Sequence, residues 1–273
     1  MIAAGEGGTV LVTGASSGIG RAAAVALADA GYDVAAAMRR PKPLARADGR
    51  SIPVLPLDLE DGASIELFAG TALALGPLRA LINTAGIPCL GAVEELPPAR
   101  LRQAMQVNFF GTLQLCSAVS AALRRQGSGL IVNVSSSLAA AALPLYGGYC
   151  ASKAALEAAT EALHLELAPH GVSVRILRPG LVATAFGGKR SAQAPAADSP
   201  YAERLDNPEP DDLVPMISKP ETVAAAIVQM VEQPAGPFRV VVGADAERWV
   251  ENRRRLDDEA FLRGVAEGGY PFR

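Results

Sequence analysis

One junction constrains the fold more than any other part of this 273-residue chain. A short apolar run, Thr9–Thr13, gives way to Gly14-Ala15-Ser16-Ser17-Gly18-Ile19-Gly20, and an alanine-rich helical stretch continues to Ala30. Glycines at this spacing let the backbone turn tightly and approach a ligand closely. The exposed N–H groups and the positive end of the following helix attract a phosphate. An isolated glycine-rich run is often only a loop. At the first strand–helix junction of an alternating chain it is the signature of a dinucleotide site.

The alternation continues along the sequence. Asp33–Met38, Ile52–Leu57, Leu78–Asn83, Leu130–Ser135, Val172–Leu177 and Phe238–Val242 read as further strands. Gly62–Leu75, Pro97–Arg125 (with Gly111 inside it), Tyr149–Ala168 and Pro220–Glu232 read as helices. Short strands separated by helices predict a parallel sheet covered on both faces. The expected fold is therefore a single α/β domain over residues 1–273, a doubly wound parallel sheet of about seven strands. Arg39–Arg50, with two prolines, reads as a loop or a much-shortened helix. Ala185–Lys219 breaks the rhythm with Pro, Ala, Ser and Asp. The polar tail, 245–273, reads as helical over Glu247–Arg263. There is no fixed-period repeat and no second domain.

Composition narrows the function. Half the residues are hydrophobic and 19% are charged, which suits a well-buried core. The net charge is −3, and the one basic block, Arg253-Arg254-Arg255, lies among acids as a solvated helix face would. Nucleic-acid binding has little support. Cys89, Cys116 and Cys150 are odd in number and lack metal-ligand spacing, and His164 and His170 do not pair with them. No metal site is expected, and reduced thiols suit a cytoplasmic location. Met1–Gly8 lacks a signal-peptide pattern, and no apolar run reaches the ~20 residues of a membrane span.

A second pattern carries chemistry. Tyr149 and Lys153 stand four apart, with Ser136 thirteen residues upstream. Residues four apart share a helix face. An ammonium beside a phenol is expected to lower its pKa from about 10 by roughly 1–3 units, giving an acid/base suited to neutral pH. Tyr146 is a decoy, because Cys150 stands four residues beyond it. About 20 residues past the glycine turn, where an acid would bind the ribose of NAD, the chain has Met38-Arg39-Arg40. A guanidinium fork grips a 2′-phosphate. NADP(H) is the expected cofactor and NAD(H) the alternative, with Ser16 and Ser17 as further phosphate contacts.

Taken together these residues resemble the short-chain dehydrogenase/reductase family, in its branch with the T-G-x-x-x-G-x-G fingerprint, from Thr9 to about Val242. Asp58-Leu59 looks like the family's adenine-contacting pair. Asn83-Thr84-Ala85-Gly86 resembles its N-N-A-G segment, with Thr84 in place of the second asparagine. Asn108 matches the asparagine of the fourth helix, Asn133-Val134-Ser135-Ser136 the strand carrying the catalytic serine, and Pro179-Gly180-Leu181-Val182-Ala183-Thr184 the loop contacting nicotinamide. The resemblance implies a Rossmann-type fold and a cofactor site from Gly14, Ser16, Ser17, Gly18, Ile19, Gly20, Arg39, Arg40, Asp58, Leu59, Asn83, Ala85, Gly86, Tyr149, Lys153, Pro179, Gly180, Val182 and Thr184. It implies Asn108, Ser136, Tyr149 and Lys153 as catalytic residues. Tyr149 would exchange a proton with the substrate oxygen, Ser136 would hold that oxygen, and Lys153 would bind the nicotinamide ribose. Asn108 would hold a water linking Lys153 to solvent. The plain alternatives are a strand-end hydroxyl for Ser136 and a satisfied helix break for Asn108.

The substrate is less constrained. Residues 185–219 lie where the family carries its substrate lid, and Phe186, Tyr201, Leu205, Leu213, Val214 and Met216 there are apolar. With Leu90, Leu138, Leu143, Tyr146 and Leu181 they suggest a pocket for a lipophilic ketone, aldehyde or alcohol. A homodimer or homotetramer formed through the helices of Asn108 and Tyr149 is implied by resemblance. A sensor or scaffold that binds the dinucleotide without turnover is the alternative of another class, and a lyase or epimerase a weaker third.

Overall fold

A computed structural model describes residues 8–186, 199–201 and 214–271. Seven strands form one sheet: β1 (Thr9–Val12), β2 (Asp33–Met38), β3 (Val54–Pro56), β4 (Leu78–Asn83), β5 (Gly129–Val134), β6 (Val172–Pro179) and β7 (Arg239–Val242). Their order is β3-β2-β1-β4-β5-β6-β7 and every pairing is parallel. The strand order reverses between β1 and β4. In open α/β sheets that reversal leaves a crevice at the carboxyl ends of the strands.

Both faces of the sheet are buried, so the central strands are apolar on both sides. Val10 and Val12 point to one layer, packed on α1 (Gly18–Asp29) and on α6 (Pro220–Glu232) through Leu27, Ile227 and Met230. Leu11 points to the other, against α2 (Gly62–Leu73), α4 (Thr112–Gln126) and α5 (Gly147–Leu167) through Ile65, Phe68, Leu115 and Leu123. Asp61 starts α2 by accepting the Ala63 N–H at 3.0 Å, an N-cap. Gly127, at φ +68°, ends α4 in the left-handed conformation that glycine adopts freely.

Two expectations from the sequence need correction. The single helix expected over Pro97–Arg125 is α3 (Pro98–Met105), a π turn over Gln106–Gly111, and α4. A π turn inserts a residue into the ladder, as is frequent at functional sites. Here it brings Gly111 so close to the Leu59 carbonyl that a side chain there would collide with it. The tail is likewise not one helix over Glu247–Arg263 but two, α7 (Ala244–Arg255) and α8 (Asp258–Gly268). The break falls at Leu256-Asp257 because Asp257 caps α8, accepting the Ala260 N–H at 2.7 Å. Arg253 pairs with Asp258, and Arg254 and Arg255 with Glu251, so the basic block is a helix face. A separate apolar cluster of Trp249, Phe261 and Val265 anchors the tail against Leu138, Ala141 and Leu143.

Among the described residues no helix is long and apolar enough to cross a membrane, and no group of three His, Cys, Asp or Glu side chains is placed to hold a metal ion. The three cysteines are free and buried.

Candidate active site

A cavity of about 1180 Å³ opens at the crevice between β1 and β4. That exceeds the roughly 300–1,000 Å³ of a pocket for one small ligand. Its floor is the glycine turn, and Gly14, Ser16, Ser17, Gly18, Ile19 and Gly20 all line it. Gly14 and Gly18 have φ of +68° and +55°, where any side chain is strained. A Cβ on Gly20 would run into Thr84 Oγ1 and the Gly14 carbonyl. Ser17 is the N-cap residue of α1, yet its hydroxyl makes no capping bond, so it leaves the first-turn N–H groups of the helix to other acceptors.

Thr84, the departure from the family pattern, keeps the local bonding. Its Oγ1 donates to the Thr13 carbonyl, and Thr13 Oγ1 accepts the N–H groups of Thr84 and Ala85 at 3.1 and 3.2 Å. Ala85 and Gly86 line the cavity behind this clamp. Asn83 does not. It lies beneath the site and donates to Asn133 Oδ1 at 2.8 Å.

Arg39, Asp58 and Leu59 line the far end, while Arg40 is exposed and does not line the cavity. The Arg39 guanidinium is 62% exposed and 3.5 Å from Glu60, which also accepts from Gln103 at 3.1 Å. Asp58 Oδ1 accepts the Glu60 N–H at 3.0 Å, a local turn bond. Glu60 was not singled out in the sequence. It lies in the third strand's exit loop, just beyond the Asp58-Leu59 pair that carries the resemblance.

The opposite end holds Ser136, Tyr149 and Lys153. Ser136 follows β5 and its Oγ accepts the Leu138 N–H at 3.2 Å, so the strand-end role and a site-facing hydroxyl coexist. Tyr149 lies in the first turn of α5, its N–H bonded to the Cys89 carbonyl at 3.2 Å. Lys153 is only 4% exposed; its Nζ donates to the Val134 carbonyl at 2.9 Å and stands 6.0 Å from the Tyr149 ring centre. Burial pushes the Tyr149 phenol up, opposed by a hydrogen bond with Ser136. Burial also pulls the Lys153 amine down to about 8, opposed by the Glu157 carboxylate. The expected lowering of the phenol by the ammonium is thus reversed in this structure, because desolvation favours the neutral form of both groups.

Asn108 sits in the π turn, fully buried and outside the cavity. Its Oδ1 accepts the Ile87 N–H at 2.8 Å, and its Nδ2 donates to the Ile87 carbonyl and to Ser152 Oγ, both at 2.9 Å. Its amide therefore ties the loop after β4 to α5. Ser152, inside the Tyr149–Lys153 turn but unremarked in the sequence, also donates to the Tyr149 carbonyl at 2.7 Å.

Pro179, Gly180, Val182 and Thr184 complete the cleft. Leu138, Leu143, Tyr146, Leu181 and Phe186 line it as expected, and the Phe186 and Tyr149 rings lie 5.5 Å apart. Leu90 is core, and Tyr201 instead donates to Glu94 at 2.6 Å. Met216 is half-buried beside Ile217, which does line the cavity. Leu205, Leu213 and most of the expected lid lie outside the described residues. The sequence reading missed the tail: Val265, Ala266, Gly268, Gly269 and Tyr270 all border the cavity. No motif marks them, since the family pattern ends near Val242.

Residues 8–195 match the family described as short chain dehydrogenase. YusZ, an uncharacterized oxidoreductase of Bacillus subtilis, is 35% identical over 202 residues, covering 70% of this chain and 72% of that protein. A 3-ketodihydrosphingosine reductase of Bacteroides thetaiotaomicron is 30% identical over 243 residues, covering 86% and 87%. A solved short-chain dehydrogenase of Streptomyces avermitilis superposes with a TM-score of 0.78 at 30% identity, covering 97% of this chain and 96% of that one. Another, from Burkholderia cenocepacia in complex with NADP, gives 0.75 at 29% identity, covering 94% and 96%. A family pattern spanning more than half the chain, on a fold shared with solved members over nearly its whole length, places this protein in the short-chain dehydrogenase/reductase family of oxidoreductases.

Proposed function

We propose that this protein is an NADP(H)-preferring oxidoreductase that interconverts a lipophilic ketone or aldehyde and its alcohol, with Tyr149 as general acid/base. The observation that carries this reading is the pairing, within one cavity, of a side-chain-free glycine cradle at a helix N-terminus and the Ser136–Tyr149–Lys153 group at the other end. The cradle fits a pyrophosphate, because Gly14, Gly18 and Gly20 let the turn close against Thr84, Ala85 and Thr184 where a Cβ would collide, and Ser17 leaves the first-turn N–H groups of α1 uncapped by its side chain.

Gly14, Ser16, Ser17, Gly18 and Ile19 would hold the phosphates, Arg39 the 2′-phosphate, Asp58 and Leu59 the adenine end, and Gly180, Val182 and Thr184 the nicotinamide end. The cofactor, when bound, supplies the hydride exchanged with the carbonyl carbon. The rest is proton and charge handling by the chain. Ser136 donates a hydrogen bond to the substrate oxygen and stabilises the charge growing there. Tyr149 gives its proton to that oxygen in reduction and takes it back in oxidation. Lys153, whose amine titrates at about 8, is protonated at neutral pH and can replenish that proton. Asn108 acts by fixing the loop at Ile87 and the helix at Ser152 around this group.

Support for NADP(H) is Arg39 at the cavity edge, preceded by Met38 and not by an acid at the carboxyl end of β2, and the Burkholderia relative in complex with NADP. Support for a lipophilic substrate is the lining of Leu138, Leu143, Leu181 and Phe186, since relatives named for a sphingoid ketone and for D-threitol disagree. Phe110, 54% exposed within the π turn, supports self-association through the helices of Asn108 and Tyr149. The test is a depletion screen of NADPH, then NADH, against lipophilic ketones and aldehydes. Consumption with NADPH favoured is expected. Tight NADPH binding with no turnover on any carbonyl would point to a sensor instead.

A further inference from the structure

The tail beyond β7 is built into the cavity by one buried hydrogen-bond chain. Asp245, in the first turn of α7, is completely buried. Its Oδ2 accepts the Leu181 N–H at 2.6 Å and the Tyr270 O–H at 2.9 Å. The same Tyr270 oxygen lies 2.9 Å from Ser137 Oγ. Leu181 follows Gly180 in the loop after β6, and Ser137 follows Ser136. A phenol and a carboxylate therefore join both loops that flank Tyr149 to the end of the described chain. Gly180 and Gly243 lack side chains where a Cβ would strike the Asp245 carboxylate.

The chain is held from behind as well. The Trp249 ring lies 4.8 Å from Tyr270 and 5.1 Å from Phe261, and Asn252 Nδ2 donates to the Pro271 carbonyl at 3.2 Å. The two main cores of the sheet contain none of these residues, so the fold of the domain does not call for them. A buried carboxylate is costly unless its bonds are specific. What the arrangement does achieve is to bring Val265, Ala266, Gly269 and Tyr270 to the rim of the cavity, facing the end where Tyr149 lies.

We propose that the strap 265–270, anchored by the Asp245–Tyr270–Ser137 chain, is the wall that sets how large a carbonyl compound can lie against Tyr149, and that it admits uncharged, apolar ones. This rests on the reading of Tyr149 as the acid/base and adds a specificity element to it. The strap contributes aliphatic side chains, glycine backbone and an aromatic ring. Lys153 is the one cation among the described lining residues at this end, and the Asp245 carboxylate stands just behind the wall. A carboxylate-bearing substrate is therefore disfavoured. Asp245 and Tyr270 are positioning residues: they act through the strap and through Ser137 and Leu181.

The test uses the full chain with cyclohexanone and the two-ring decalone as probes. Ala266→Trp narrows the rim and raises KM for decalone about tenfold relative to cyclohexanone, the scale at which pockets discriminate by size. Its NADPH dissociation constant stays within about twofold, since the cradle is at the opposite end. Tyr270→Phe keeps the ring but unhooks the chain; decalone then gains on cyclohexanone in kcat/KM, and amide exchange quickens at residues 137–145 and 181–183. An unchanged size ratio in both variants overturns the wall. If the wild type turns over no carbonyl, the proposed function falls, and the wall is judged by Nile red fluorescence in the NADPH-loaded protein. Weaker dye binding in Ala266→Trp then upholds it, and equal binding overturns it.

Discussion

Lys153→Met should change stability in a way that betrays the buried charge. In the wild type, burial pulls the Lys153 amine from 10.5 to about 8. At about 1.36 kcal/mol per pKa unit, protonated Lys153 costs the fold about 3 kcal/mol below pH 8. The sign follows from proton counting. Between pH 8 and 10.5 the unfolded chain holds the proton and the folded chain does not, so wild-type stability rises with pH across that window. Methionine does not titrate. The wild type should therefore gain about 2 kcal/mol on the variant between pH 7 and 9.5, the part of the 3 kcal/mol recovered by then. At pH 7 the variant loses the bond to the Val134 carbonyl, worth about 1–3 kcal/mol when its acceptor is left buried, so the absolute difference is small. The pH dependence is decisive because other titrating groups are common to both proteins and cancel. Urea unfolding of the cofactor-free proteins at several pH values measures it. In thermal unfolding the shift corresponds to about 4–8 °C, by the scaling for domains of roughly 150–250 residues. A difference that stays flat with pH, or moves the other way, would refute the buried-amine argument.

Arg39→Ala should weaken NADPH at least about tenfold, the worth of one charge-assisted bond, and NADH by less than about twofold. Equal weakening, measured by fluorescence titration, would show that Arg39 does not read the 2′-phosphate and that its pairing with Glu60 is its only role. Trp249→Ala removes a fully buried ring from the tail cluster and should cost about 3–5 kcal/mol in urea unfolding if the tail unfolds with the domain. A loss below about 1 kcal/mol would mean the cluster melts on its own.

The sheet was legible because its signals are local and redundant. Val10-Leu11-Val12 is apolar on both faces, and Gly14 to Gly20 states where the first helix begins. The same holds for Tyr149 and Lys153, whose spacing alone places them on one face of α5. What could not be read depends on contacts distant in sequence. The π turn exists where Gly111 meets the Leu59 carbonyl, and no pattern of period 3.6 announces it. Asn108 was visible as a residue of interest, but its use by Ile87 and Ser152 is a tertiary fact. The direction of the Tyr149 shift was misjudged because adjacency to Lys153 is visible in a sequence and the depth of burial is not. Asp245 and Tyr270 are 64 and 133 residues from their partners Leu181 and Ser137, a separation at which a chain gives no hint without the fold.

The most direct test of the central claim compares Tyr149→Phe with the wild type in NADPH-dependent carbonyl reduction, with cofactor affinity measured alongside. Loss of a general acid should lower turnover at least about a hundredfold, while the NADPH dissociation constant holds within about twofold. Near-normal turnover in the phenylalanine variant would contradict the assignment of the proton to Tyr149.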